Sequence, residues 1–313
     1  MKSLTRSECA QILCAHDHYA IVTHRRPDGD TLGSSALLCL GLRQLGKTAH
    51  ILENPETTPK YAHLHAGLTK ESAEAGDFVV TVDVASDNML PDCFKALSFD
   101  LRIDHHGSAT SFTPVELVEP GAAACGEIVY GVLALMGAQL DIPMANALYT
   151  AISTDTGCFR YANTTADTFA AAAACAKAGA EVFRINQALF ETNSLARLQV
   201  QSWMVQNARF LCDGKIAICP LPKAVEAEFG AGEDDLENIS GFPRTIEGVQ
   251  LAVTIREDGA NRVKMSVRAV PGQDAAALCA KFGGGGHKGA AGASMDMTME
   301  EAVKAVIAAL PVI

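Results

Sequence analysis

The sequence predicts an α/β protein built on a parallel, doubly wound sheet, followed by a smaller mixed α+β domain. Three observations point there. Short apolar runs alternate with helical patterns through the first half of the chain. Three of those runs end in aspartate or histidine. Beyond residue 210 the alternation gives way to strands, two of them joined by a hairpin turn.

Leu4 to Cys14 reads as a first helix and Tyr19 to Thr23 as a first strand. The turn after it packs His24, Asp28 and Asp30 into seven residues, with Pro27, Gly29 and Gly33 breaking regularity. By itself this stretch could be a solvated acidic loop. From Thr31 a helical pattern sets in with Ala36, Leu37, Leu38 and Leu40, and Gly46 suits its C-terminal stop. Thr48 to Leu52 is a second strand, and in the loop beyond it His63 and His65 read as loop or surface residues. Phe78 to Val82 is a continuous β-branched run, typical of a strand covered on both faces, and it ends in Asp83. Leu101 to Ile103 is a short strand leading into Asp104-His105-His106-Gly107. In open α/β sheets ligands bind beyond the carboxyl ends of the strands, where these residues fall.

Ala122 to Met136 is apolar at helical spacing, and Pro143 suits the first turn of a helix that leaves Asp155 near its end. An Ala-rich helix and a shorter one near Glu181 to Phe190 follow, then a connecting helix from Leu195 to Phe210. The expected division is therefore 1–190, a connector at 191–209, and a second domain at 210–313. That domain holds strands at Lys215 to Cys219, Val249 to Ile255 and Val263 to Val267, a glycine run from Gly283 to Gly286, and a closing helix from Met299 to Leu310.

Composition narrows the partners. The 313 residues are enough for two cores, and 49% hydrophobic with 19% charged residues is ordinary for a soluble globular protein. No signal peptide is evident, and the most apolar run, Phe169 to Ala176, is too short to span a bilayer. Ten cysteines without a Cys-x-x-Cys pair read as buried thiols in a reducing cytoplasm. A formal charge of −11 argues against a long nucleic-acid track, and leaves room for a small phosphorylated substrate held by a few basic residues and metal.

His24, Asp28, Asp30, Asp83, His105, His106 and Asp155 in one crevice would repel each other without a counter-charge. Two divalent cations would supply it, and His/Asp ligation without thiolate favours Mn²⁺ or a similar ion. Such a pair, about 3.5–4 Å apart, suits in-line phosphoryl displacement by water. The bland alternative is an acidic cluster neutralised by Arg25, Arg26 and Arg102. Gly284, Gly286 and Gly289 spell G-x-G-x-x-G, but a helical pattern rather than a strand precedes them, so a dinucleotide site is rejected. The run reads instead as an anion-binding nest with His287 and Lys288 beside it, or as a tight structural turn.

His24-x-x-x-Asp28-x-Asp30, Asp83, Asp104-His105-His106 and Asp155, followed by GGGGHKGAAG, stand in the order found in DHH-family phosphoesterases. The chain resembles them over nearly its whole length, most of all the nano-RNases that also act as phosphatases on 3′-phosphoadenosine 5′-phosphate. The resemblance implies a cytoplasmic, metal-dependent hydrolase using two Mn²⁺, with Mg²⁺ or Co²⁺ as substitutes. Its partners would be RNAs of roughly two to five nucleotides and small phosphorylated nucleotides, without a long nucleic-acid track or a membrane; a homodimer is compatible with it. His24 and Asp28 would hold the first metal and Asp30 the second, with Asp83 bridging and His105 and Asp155 completing the second site. His106 would touch the scissile phosphate while Asp104 orients the histidines. Arg268 and His287, with Gly284, Gly285 and Gly286, would hold the rest of the substrate, and Arg160 and Asn163 are further candidates for that task. A soluble phosphodiesterase for cyclic dinucleotides or pApA, and a non-catalytic nucleotide sensor, are the alternatives.

Overall fold

The computed structural model describes residues 2–107 and 110–310. The chain divides into two units, Met1–Thr192 and Asn193–Ile313. In the first unit the elements run β1 (Lys2–Ser3), α1 (Arg6–Ala15), β2 (Tyr19–Val22), α2 (Gly29–Gln44), β3 (Ala49–Leu52), β4 (Thr69–Lys70), β5 (Phe78–Val82), β6 (Leu101–Asp104), β7 (Val115–Val118), α3 (Cys125–Leu135), α4 (Ile142–Asp155), α5 (Ala166–Ala178) and α6 (Val182–Asn186). The strands form one sheet in the order β1-β7-β6-β5-β2-β3-β4, parallel throughout. The chain leaves β2 toward β3 on one side and resumes on the other side with β5. That reversal opens a crevice at the carboxyl ends of β2 and β5, where such sheets bind ligands.

Side chains alternate between the two faces with the period of two that strand geometry imposes. Tyr19, Ile21, Val80, Val82, Leu101 and Ile103 join one apolar layer, which α1 to α5 fill. Ala20, Val22, Leu52 and Val79 join the other, covered by short 3₁₀ turns that contribute Leu90 and Phe94. Helix α2 lies deep in the first layer and is buried nearly all round. Gly33 makes its close approach to α4 feasible, because a Cβ there would stand 2.5 Å from the Ala147 carbonyl oxygen. The two helices run antiparallel, so the start of α2 meets the end of α4, and Asp30 comes beside Asp155.

Two expectations change. His65, read as a loop or surface residue, is buried: the segment folds back on α2, and its Nε2 lies 2.9 Å from Ser35 Oγ and 3.1 Å from the Leu32 carbonyl oxygen. His63 beside it is exposed. Arg102 does not neutralise the acidic turn. It pairs with Glu116 on β7 at 2.8 Å and donates to the carbonyls of Ala85 and Thr110.

The second unit runs α7 (Leu195–Asn207), β8 (Arg209–Leu211), β9 (Ile216–Leu221), α8 (Lys223–Glu228), α9 (Glu233–Leu236), β10 (Leu251–Glu257), β11 (Val263–Ala269), α10 (Ala275–Ala280), β12 (Gly285–Gly286), β13 (Ala290–Met295) and α11 (Met299–Ala309). Its sheet, β12-β13-β11-β10-β9-β8, is parallel only between β9 and β10. The helix expected to reach Phe210 stops at Asn207, since Arg209–Leu211 is drawn into pairing with β9. Val200 and Met204 of α7 pack on Cys219 and Leu221, so this helix belongs to the core of the second unit. Val263, Met265 and Val267 face inward with α10 and α11, which leaves Arg268 on the opposite face of β11. Part of the glycine run is drawn into the sheet. Gly285 and Gly286 pair with β13, and the amides of Gly283, Gly284 and His287 already donate to Ala280, Cys279 and Ala290. Among the described residues no helix is long and apolar enough to cross a membrane.

Candidate metal centre

The loop after β2 is held from three directions. Asn54 Nδ2 donates to Thr23 Oγ1 and to the His24 carbonyl, both at 2.9 Å. The Arg25 amide donates to the Met89 carbonyl at 2.7 Å. Asp28 caps α2, its Oδ1 accepting the amides of Asp30 and Thr31, a contact worth about 1 kcal/mol to a helix. Thr31 Oγ1 then reaches across to the Val82 carbonyl at 3.0 Å, which ties the start of α2 to the end of β5. There Asp83 takes a left-handed backbone, φ +59, which aspartate tolerates better than most residues. Its amide donates to Ile103 and keeps it in line with β6.

Around this frame the side chains converge. His24 Nε2 stands 3.7 Å from Asp28 Oδ1 and 3.6 Å from Asp83 Oδ2. His105 Nε2 stands 3.4 Å from Asp83 Oδ1 and 3.6 Å from both Asp30 Oδ2 and Asp155 Oδ2. His24, Asp28 and Asp83 make one potential ligand set, and Asp30, His105 and Asp155 another. Asp83 turns one oxygen to each histidine. With metal–ligand bonds of about 2.0–2.2 Å, two ligands of one ion stand roughly 3–3.6 Å apart, so these spacings suit shared cations better than hydrogen bonds.

The ring tautomers agree. His24 Nδ1 lies 2.8 Å from the Arg25 carbonyl and His105 Nδ1 3.2 Å from that of Ala122. A carbonyl can only accept, so each Nδ1 carries the hydrogen and each neutral ring turns an Nε2 lone pair toward carboxylates. That arrangement is repulsive unless a proton or a cation lies between. Burial alone would lower both imidazoles, yet the facing carboxylates raise His24 well above its ordinary value and push His105 up to about 11. Burial, then Asp83 and Asp155, drives Asp30 far above the carboxylate range, and burial pushes Asp155 up to about 7. Burial would also raise Asp83, but His105 and His24 hold it below its ordinary value. Among the described residues, the buried Asp83 Oδ1 has no hydrogen-bond partner. The donor set fits divalent cations.

His106 differs from the other two. Its Nδ1 is 3.5 Å from Asp83 Oδ1, close enough for a third ligand set with His105. That nitrogen is already engaged at 2.8 Å by Asp104 Oδ1, so it has no lone pair to give a metal. The Asp104 contact raises the His106 imidazole.

Other residues at the centre carry no sequence signal. Asp30 accepts from Ser34 Oγ and from the amides of Cys125 and Gly126 at the start of α3, the end of a helix that favours a negative charge. Backbone amides leave no trace in a motif, and Asn54 is a single residue in a Pro- and Glu-flanked loop. Asn163 Nδ2 donates to the carbonyls of Asp155 and Ala123, and Arg160 Nε to that of Gly157, so both stand beside the end of α4. Arg268 and His287 lie in the second unit. The His287 amide donates to Ala290, and Ala290 faces Arg268 across the ladder, which brings the two to one end of that sheet.

Residues 18–152 match the DHH family, N-terminal domain, and residues 213–311 match the DHHA1 domain. The bifunctional oligoribonuclease and PAP phosphatase NrnA of Thermus thermophilus is 31% identical over 93% of this chain and 88% of its own length. The NrnA of Bacillus subtilis is 25% identical over 93% of each chain. The crystal structure of an exopolyphosphatase-related protein from Bacteroides fragilis is similar with a TM-score of 0.83 and 25% identity, covering 97% of this chain and 95% of that one. A strand-end cluster of Asp and His built around Asp104-His105-His106, both family domains and relatives along almost the whole chain lead to one conclusion: this protein belongs to the DHH family of phosphoesterases.

Proposed function

We propose that the protein hydrolyses RNAs of a few nucleotides and removes the 3′-phosphate of 3′-phosphoadenosine 5′-phosphate, using two divalent cations, with Mn²⁺ preferred. The observation that carries this reading is Asp83, whose two oxygens address His24 and His105 separately, as a carboxylate shared by two ions would. His24 and Asp28 would hold one cation, and Asp30, His105 and Asp155 the other. The chemistry that cations supply in such a site is charge stabilisation at the phosphoryl oxygens and a water activated near neutral pH.

The chain's own residues do the positioning. Asp104 fixes the His106 ring through Nδ1 and favours its protonated form, in which Nε2, on the opposite edge of a ring about one third exposed, can donate to a phosphate oxygen. The amides of α3 and Ser34 hold Asp30 where a second ligand set needs it. Arg268, His287 and Gly284 to Gly286 are proposed to bind the remainder of the substrate, with Arg160 and Asn163 contributing beside Asp155. The relatives named for oligoribonuclease and PAP phosphatase activity support the substrate class. Ten free cysteines fit a reducing, cytoplasmic setting.

A panel of substrates tests the proposal: labelled RNAs of increasing length, pApA, the adenosine bisphosphate and pyrophosphate, each with Mn²⁺. Short RNA and the bisphosphate should turn over fastest. A clear preference for pApA would move the assignment to a dinucleotide phosphodiesterase, and binding without turnover of any substrate to a sensor.

A further inference from the structure

Directly after Asp155 the backbone makes a turn that the metal ligands do not require. Gly157, Cys158 and Phe159 take φ of +57, +58 and +62 in succession. This left-handed region is uncommon for residues with a side chain. The turn is well tied. The Cys158 amide donates to Ser153 at 2.6 Å, and the amides of Arg160 and Tyr161 both donate to Thr156. Asn163 then fastens the far end to the Asp155 and Ala123 carbonyls.

What the turn presents is Tyr161. Its ring lies over Gly157: a Cβ added there would stand 2.3 Å from the ring's Cζ and 2.6 Å from both Cε atoms. Any residue but glycine would expel the ring. One face of the ring is therefore against backbone, yet Tyr161 is 50% exposed, which leaves room for a partner on the rest of its surface. Gly157 is two residues from Asp155, which keeps their Cα atoms within about 7.6 Å. Arg160, exposed beside the ring, is held by its Nε on the Gly157 carbonyl at 2.5 Å. A half-exposed aromatic ring and a cation thus stand on a fastened loop next to a metal ligand.

We propose that Tyr161 is the stacking platform for the base of the nucleotide whose phosphate lies at the metal centre. This rests on the phosphoesterase reading above and names how that site takes hold of a nucleotide. Stacking suits such an enzyme because every base has a π-face, so the platform grips without selecting sequence. Hydrogen-bond readout would instead need donors and acceptors matched to one base.

The test compares wild type, Tyr161→Ala and Tyr161→Phe on an RNA dinucleotide and on an analogue lacking the adjacent base, with bound Mn²⁺ counted for each. Tyr161→Ala should lose about five- to a hundredfold in kcat/KM on the dinucleotide, the range for one stacked base, with its metal content intact. On the analogue it should match wild type, and Tyr161→Phe should restore the dinucleotide rate. An alanine variant equal to wild type on the dinucleotide, or reduced equally on both substrates, would overturn the proposal while leaving the enzyme's function standing. Failure of the wild type itself on the dinucleotide would instead sink the functional reading, and this proposal with it.

Discussion

Asp104 Oδ1 lies 2.8 Å from His106 Nδ1 and also accepts the amides of His105 and His106. One fully buried carboxylate oxygen thus sets both the backbone of the two histidines and the ring of the second. Such supporting contacts typically carry ten- to a hundredfold in activity or metal affinity, roughly. Asp104→Asn should lower kcat by about that factor and leave two equivalents of metal bound. Loss of metal in step with activity would instead make Asp104 a support of the ligands alone.

Asp83 should be the most sensitive position for metal content. Asp83→Asn is expected to weaken both cation sites and abolish turnover, whereas Asp28→Asn should weaken chiefly one. Elemental analysis of the purified variants decides this. Two full equivalents of Mn²⁺ with undiminished activity in Asp83→Asn would exclude a shared carboxylate.

Length preference follows from charge. A chain with formal charge −11 gains little counterion release from a longer substrate. Rates should be highest for RNAs of roughly two to five nucleotides and fall steeply beyond. A chain of about 24 nucleotides degraded as fast as a trimer would show an extended track that this charge balance disfavours.

A substitution at Arg268 tests its proposed part in holding the substrate. A charged hydrogen bond is worth about 1.5–3 kcal/mol, or roughly ten- to a hundredfold. If Arg268 binds ground state and transition state alike, Arg268→Ala should raise KM and spare kcat. If it aligns the phosphate for attack, kcat should drop as well. A variant unchanged in both on a dinucleotide removes Arg268 from the site.

His65 gives the fold an acid-sensitive point. Burial lowers its imidazole from an ordinary 6.5 to about 4. The folded state thus favours the neutral ring, so its contribution is complete above about pH 6.5 and is lost as pH falls toward 4. The difference amounts to about 3 kcal/mol. His65→Gln should flatten the fall in stability between pH 7 and 4 by an amount of that order, read from urea melts at each pH.

Much of the candidate centre could be read from the chain because most of its residues follow strands, and strands with β-branched runs such as Phe78 to Val82 declare themselves. Asp28 and Asp30 share one turn, so their convergence needed no tertiary argument. What stayed hidden lacks a local pattern. β13 is Ala-Ala-Gly-Ala-Ser-Met, whose small residues suit close pairing with β11 and β12 but carry little β-branched signal. β1 and β4 are two residues each, too short for any period. His65 reads as polar loop because its burial depends on where the segment folds back, and the supports of Asp30 are backbone amides of a helix far along the chain.

The order of strands also has a temporal side. His24, Asp28 and Asp83 follow β2 and β5, which pair directly, so the first 83 residues already contain the three members of one potential ligand set. The other set waits for His105 and for Asp155 at the close of α4. Because N-terminal segments emerge and fold first during translation, the proposed two-cation centre would assemble in order: the residues of one set are made well before those of the other, which is complete only with Asp155 at the end of α4. On the two-cation proposal, a chain stalled between those points would hold one ligand set without the other.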